Sequence, residues 1–236
     1  MSAGKISVCV ASYNGEEHII RQLDSILDQL GPSDEVIVSD DSSTDATALL
    51  ISQLGDSRII FVTNTSTKGP VGNFQNALTR ATGDFIFLSD QDDIWLSGKV
   101  AEMTSLLHEF DLVLSDCKIV DKNLSVIQPS FFKYRSSKAG LLRNMYKNSF
   151  MGCCMAFRRN VLSYALPIPQ KVHMHDWWIG LLAEVKGKVY FYDKPLILYV
   201  RHGNNASPTG EGEYNLYQKL YNRFILLSLL VKRILR

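Results

Sequence analysis

The chain has 236 residues, enough for one large domain with a useful core. Hydrophobic residues at 46% and charged ones at 21% exclude a disordered or fibrous chain, and a net charge of +1 removes any general electrostatic reason to bind nucleic acid. The four cysteines, Cys9, Cys117, Cys153 and Cys154, form no C-x-x-C pair, so neither a zinc site nor a disulfide framework is expected and a reducing cytoplasm is the simpler compartment.

The first apolar run is too short for a signal-peptide core and reads as a strand over 6–11, closing in the turn-like SYNG. EEHIIRQLDSILDQL places Ile19, Ile20, Leu23, Ile26, Leu27 and Leu30 at helical spacing. A strand over 35–40 follows, then a helix in SSTDATALLISQL with Ser and Thr as candidate N-caps. Strands over 58–62, 84–89 and 111–116 alternate with helices in GNFQNALTRATG and GKVAEMTSLLHEF. Such alternation predicts β-α-β units, a mostly parallel sheet and helices on both faces. Neither a dinucleotide fingerprint nor a P-loop is present. After Asp116 the pattern weakens, and IQPSFFKYRSSKAGLLRNMYKNSF reads as a long connection containing a helix. The expected organisation is 1–116 as the first half of a domain, 117–213 as a second half of the same domain, and 214–236 as a C-terminal amphipathic helix.

Ligands of open parallel sheets bind beyond the C-terminal strand ends. Here three ends carry polar clusters: ASYNG, SDDSSTD and SDQDD. Each alone is ordinary turn chemistry; three in order point to a cation or sugar site. Asp90 and Asp92 alternate with Gln91 and so face one side on extended backbone. Mg²⁺ or Mn²⁺ takes few carboxylates and completes its shell with water and phosphate, which suggests a cation shared with a diphosphate. Asp93 is expected to point the other way and cap the following turn.

SVCVASYNG, VIVSDDSSTD, GDFIFLSDQDDIW, GCCMAF, HDWW and YVRHGNN, in this order and spacing, resemble the family 2 glycosyltransferases of the GT-A fold. The form of SDQDDIW with a later HDWW is similar to a bacterial, rhamnosyltransferase-like branch that builds cell-envelope polysaccharides. The resemblance implies a Rossmann-like, mostly parallel sheet with a smaller acceptor-side region. It also implies roles: Tyr13 packing on the nucleotide base beside the Ala11 backbone, Asp41 accepting from a pyrimidine, and Asp90 near the ribose. Asp92 would be the metal ligand, His202 a further metal or diphosphate contact with Arg201 nearby, and Asp176 the general base. Related chains carry an Arg-Asn pair after the third strand; Lys68 or Asn73 stands in its place here. Cys154 stands where G-x-T segments have Thr.

Those roles describe an inverting, metal-dependent transfer of a sugar, rhamnose from dTDP-rhamnose or a hexose from a UDP-sugar, to a hydroxyl of a lipid-linked surface glycan. Mn²⁺ or Mg²⁺ would offset charge on the leaving diphosphate, and Asp176 would take the acceptor proton. A metal-dependent nucleotidyltransferase would need a Gly-rich basic signature that ASYNGEEH lacks; a catalytically inactive scaffold would not need both Asp92 and Asp176. Residues flanking Asp176 have plainer readings: a helix N-cap for Asp176 itself, surface or acceptor contacts for His173 and His175, and core packing for Trp177 and Trp178. The tail is apolar nearly all round over 224–231, with Lys219, Arg223, Lys232, Arg233 and Arg236 about it. It is expected either to pack on the domain or a second subunit, as in a homodimer, or to lie on an anionic membrane. The second reading makes the protein cytoplasmic and peripheral on the inner face of the cell membrane.

Overall fold

A computed structural model describes residues 4–202 and 215–235. β1 (Ile6–Ser12), β2 (Glu35–Asp40), β3 (Ile59–Thr63) and β4 (Phe85–Asp90) lie parallel in the order β3-β2-β1-β4. The inner three are buried along nearly their whole length. Both faces are covered, which is why their sequences read as continuous apolar runs and not as alternation. The connections are helical: α1 (Ile19–Leu27), α2 (Thr47–Leu54) and α3 (Pro70–Leu78). α1 buries Ile19, Leu23, Ile26 and Leu27 on one stripe, each worth roughly 1.5–3 kcal/mol against exposure. The expected Ser or Thr cap of α2 is absent; Asp45 accepts from Thr47 N (3.0 Å) instead.

The second half departs from the expected pattern. After β5 (Ile94–Trp95) and α4 (Lys99–Leu107), β6 (Leu112–Asp121) runs straight through Asp116. The stretch read as a long connection holds β7 (Val126–Gln128), α5 (Phe131–Arg135) and α6 (Leu141–Tyr146). A 3-10 turn over Gly152–Cys154 leads into β8 (Met155–Arg158), then α7 (Asn160–Ala165), α8 (His175–Lys186) and β9 (Val189–Arg201). β8 inserts antiparallel between β4 and β6, and β9 pairs parallel to β6 across two register shifts. β1, β2, β3, β4, β6 and β9 therefore share one direction, and the mostly parallel sheet holds with a reversed strand inside it. β8 has only four residues and follows a cysteine pair, so it gives no strand pattern to read.

α9 (Leu216–Ile234) opens on a capping box between Asn215 and Gln218. Arg223 donates to the Tyr146 carbonyl and sits over the Trp177 ring; Arg233 donates to the Tyr164, Leu166 and Pro167 carbonyls and sits over Trp178. The run read as apolar all round divides into a buried side, Leu226 and Leu230, and an exposed side. Among the described residues no helix is long and apolar enough to cross a membrane.

Candidate active site

The C-terminal edge of the sheet collects the polar strand ends. Ala11 lies opposite Ser39 on one side and Asp90 on the other, and Ser12 lies opposite Asp40. Because β8 runs the other way, its first residues start at this edge. The Gly152–Cys154 turn is thereby delivered beside β4, with ligand atoms of Cys153, Asp90 and Asp93 within 4.8 Å of one another. The same turn fixes Asp176: Gly152 N donates to its Oδ2 (3.1 Å), and Trp177 N to its Oδ1 (2.6 Å). Asp176 lies inside the first turn of α8, with Met174 at the N-cap position, so the N-cap reading is corrected.

The central motif is tied down by its middle residue. Gln91 accepts from Tyr13 N (2.8 Å) through Oε1 and donates to Tyr13 O (3.0 Å) through Nε2, clamping the end of β1 to the end of β4. Gly15 leaves room for that clamp, since a Cβ there would lie 2.3 Å from Gln91 Oε1. On one side of the clamp Asp92 Oδ2 meets His202 Nε2 at 2.8 Å, and the His18 ring lies 4.5 Å from that of His202. His18 precedes an amphipathic helix as one polar residue among several, and nothing local marked it.

Asp93 is not a surface turn cap. It is fully buried and accepts from Val200 N (3.3 Å). Burial first, then the charges of Asp92 and Asp90, raise its carboxyl well above the usual range. Lys99, likewise fully buried, lies 3.4 Å from Cys153 O and 4.9 Å over the Trp95 ring. Burial lowers its pKa, while the nearby Asp93 works to keep it charged. A buried lysine that the sequence offered only as a helix residue thus lies near the acids through Cys153.

Two donor sets could hold a cation. Asp92 and His202 offer oxygen and nitrogen, a mixed pair that suits Mn²⁺ better than the oxygen-preferring Mg²⁺, with water and phosphate completing the shell. Asp90, Asp93 and Cys153 form the second set. The full burial of Asp93, whose Oδ1 already accepts from Val200 N, and the proximity of the Lys99 ammonium to Cys153 disfavour a cation there. The Asp92–His202 pair fits better. Asp90 feels both Asp92 and Asp176, its carboxyl raised by burial and by their charges, so added positive charge is favourable at this point.

The remaining predicted residues divide. Tyr13 is 56% exposed at the edge, free to meet a flat ring. Asp41 is nearly buried and already accepts from Asn64 Nδ2 (3.0 Å) and Gly69 N (2.7 Å), with Lys68 Nζ at 3.6 Å. Any base contact must use its remaining lone pairs. Asn73 is corrected: it is buried, donates to Ser12 O (3.0 Å) and accepts from Ser39 Oγ (2.6 Å), so its amide braces β1 against β2 and is not open to a nucleotide. Arg201 ends β9 opposite Asp121, next to His202; Gly203, Asn204 and Asn205 of the same motif lie outside the described residues. His175 is corrected too, being buried and stacked on Phe74 at 4.1 Å, with its pKa lowered by burial to about 3. Trp177 and Trp178 are core residues whose indoles donate to Asn144 O and Ala165 O.

Asp176 has the chemistry of a base near neutrality. Burial pushes its carboxyl up, against the hydrogen bonds from Trp177 and Gly152, to about 7. Such a group is substantially ionised and still basic enough to take a proton at pH 7.

The family model described as Glycosyl transferase family 2 matches residues 7–165. The UDP-Glc:alpha-D-GlcNAc-diphosphoundecaprenol beta-1,3-glucosyltransferase WfgD of Escherichia coli is 29% identical over 183 residues, covering 76% of this chain and 70% of that protein. The dTDP-rhamnosyl transferase RfbG of Shigella flexneri is 28% identical over 214 residues, covering 83% of this chain and 72% of that one. The structure of S. aureus TarS 1–349 in complex with UDP superposes with a TM-score of 0.72 at 21% identity, covering 96% of this chain. This chain spans 65% of that structure's length. The likeness establishes the shared GT-A fold.

Proposed function

The chain belongs to glycosyl transferase family 2, and from that premise we propose that it moves a sugar from a pyrimidine nucleotide diphosphate to a hydroxyl of a lipid-linked glycan, with inversion. The observation that carries the reading is the convergence at one sheet edge of the Asp92–His202 pair, 2.8 Å apart, and the buried, basic Asp176, with Asp90 feeling the charges of both acids. A divalent cation held by Asp92 and His202 would offset the charge on the departing diphosphate. Tyr13 offers its ring to the base, and the Gln91 clamp holds it in place. Asp176, pinned by Gly152 and Trp177, accepts the proton of the attacking hydroxyl. With Asp176 as base on the acceptor side, opposite the leaving diphosphate, the reaction is a single displacement without a covalent intermediate.

UDP-glucose is the donor of the WfgD relative and dTDP-rhamnose that of RfbG, by their names. Asp41, engaged on both oxygens by protein donors, does not separate uracil from thymine. WfgD's name gives alpha-D-GlcNAc-diphosphoundecaprenol as its acceptor, which supports a lipid-linked sugar as the acceptor class here. A thermal-shift screen of UDP- and dTDP-sugars with Mn²⁺ tests the donor and the cation together. One pyrimidine donor should raise the melting temperature only when Mn²⁺ is present, and Asp92→Asn or His202→Ala should abolish the metal-dependent part. Equal stabilisation without metal in the parent would overturn the assigned cation pair.

A further inference from the structure

We infer that α9, together with the neighbouring segment 130–150, forms a docking surface for an anionic lipid bilayer. α9 is a 19-residue helix, about 28 Å long at 1.5 Å per residue. Its exposed side carries Tyr217, Leu220, Phe224, Leu227, Val231 and Ile234, spaced alternately three and four apart along one stripe. Tyr217 is 76% exposed and Phe224 66%. The stripe does not serve the core, because Leu226 and Leu230 on the opposite side already fill that role. At the Arg223–Tyr146 contact α9 meets α6, where Leu142 is 86% and Tyr146 79% exposed. Exposed apolar side chains thus occur on both elements that meet there, more than scattered surface residues explain.

Charge selects the occupant. Segments 130–150 and 215–236 contain ten of the chain's 25 lysines and arginines and none of its 24 acids. The remainder holds 15 basic residues against 24 acidic, so the near-zero net charge conceals a cationic side on an acidic body. Lys133, Lys138, Arg143, Lys147 and Lys232 of these segments are exposed. An amphipathic helix without acids, basic and rich in Tyr, Phe and Leu, has the chemistry of an interfacial helix on anionic headgroups. A second copy of α9 fits poorly: two such faces would bring like charges together with no carboxylate on either helix to pair them. The surface also has a place in the reaction. Arg223 of α9 lies 5.9 Å over Trp177, the residue after Asp176, so a bilayer under α9 lies at the acceptor side of the site. That last step rests on the proposed transfer to a lipid-linked glycan; the docking itself does not.

The test is co-sedimentation of the full chain with phosphatidylcholine vesicles and with vesicles containing 30% phosphatidylglycerol, without donor or metal, at low and high salt (a composition of roughly this anionic content mimics a charged leaflet). The expected result is binding to the anionic vesicles alone, weakened by salt. The pairs Leu220→Asp with Phe224→Asp, and Lys219→Glu with Lys232→Glu, should each lower partitioning at least ~10-fold, at about 1 kcal/mol per basic residue for the second pair. Circular dichroism and unchanged transfer to a water-soluble acceptor analogue show that each variant remains folded. Equal binding to neutral and anionic vesicles, or no binding by the parent, overturns the proposal. So does a stable dimer that Phe224→Asp dissolves in the absence of lipid. Failure of sugar transfer with vesicle binding intact would instead count against the catalytic assignment.

Discussion

Asp176 meets two opposing demands, and the conflict is measurable. An unfolded Asp titrates near 3.9, whereas the folded carboxyl sits at about 7 because it is buried. Between those values the folded chain keeps a proton that the unfolded chain has released. Stability therefore falls as pH rises from about 4 to 7, and the loss is complete above 7. Asp176→Asn removes this dependence: relative to the parent, the variant should gain stability progressively between pH 5 and pH 8 in urea denaturation. A constant difference across that range would contradict the assigned burial. A base made ready by desolvation at the cost of stability is the usual trade at a functional site. The acids stood out as candidates in the sequence, because a D-x-D pattern after an apolar strand and an Asp opening a helix are local signals. The sequence did not expose Gln91, Lys99 or the true role of Asn73. Their partners are Tyr13, Cys153 and Ser12, 78, 54 and 61 positions away, and no local pattern encodes a contact at that distance.

Elements place these residues, and the first strands do so through a carboxylate at the other end of the sheet. Glu35 opens β2 and accepts from Lys5, Ser7 and Thr82, joining β1, β2 and the lead into β4. Burial alone would raise its pKa, but those hydrogen bonds outweigh it and hold the carboxyl at about 2. The stabilisation is fully present above the unfolded value near 4.5 and is lost as pH falls toward 2. It amounts to at most ~3 kcal/mol. Glu35→Gln should lower stability at pH 7, and the gap to the parent should close by pH 2 in chemical denaturation; a gap that persists at pH 2 would show that packing, not ionisation, carries the effect. The parallel elements were legible because strands buried on both faces and amphipathic helices have distinct periods. β8, β9 and the division of the expected helix into the short α5 and α6 were not. β8 is brief, β9 mixes exposed and buried positions across two register shifts, and α6 offers only six residues to a 3.6-residue period.

At the scale of the whole molecule, one sheet edge gathers the chemistry and one side gathers positive charge. The reversed β8 links them: it carries Gly152 to Asp176, and α8 behind Asp176 meets α9. This linkage was not readable in advance, because the tail's character was visible as composition while its neighbours in space were not. Net charge, likewise, said nothing of how charge is distributed. In the proposed function Asp176 is the base of a sugar transfer carried out at this edge. That role is tested most directly by the rate at which Asp176→Asn transfers sugar from its pyrimidine nucleotide donor to a lipid-linked acceptor, alongside calorimetric binding of that donor with Mn²⁺. The expected result is a rate lower by about 10²–10⁴-fold with donor affinity within about twofold, since Asp176 acts on the acceptor proton and not on the nucleotide. Transfer at the parental rate would contradict it.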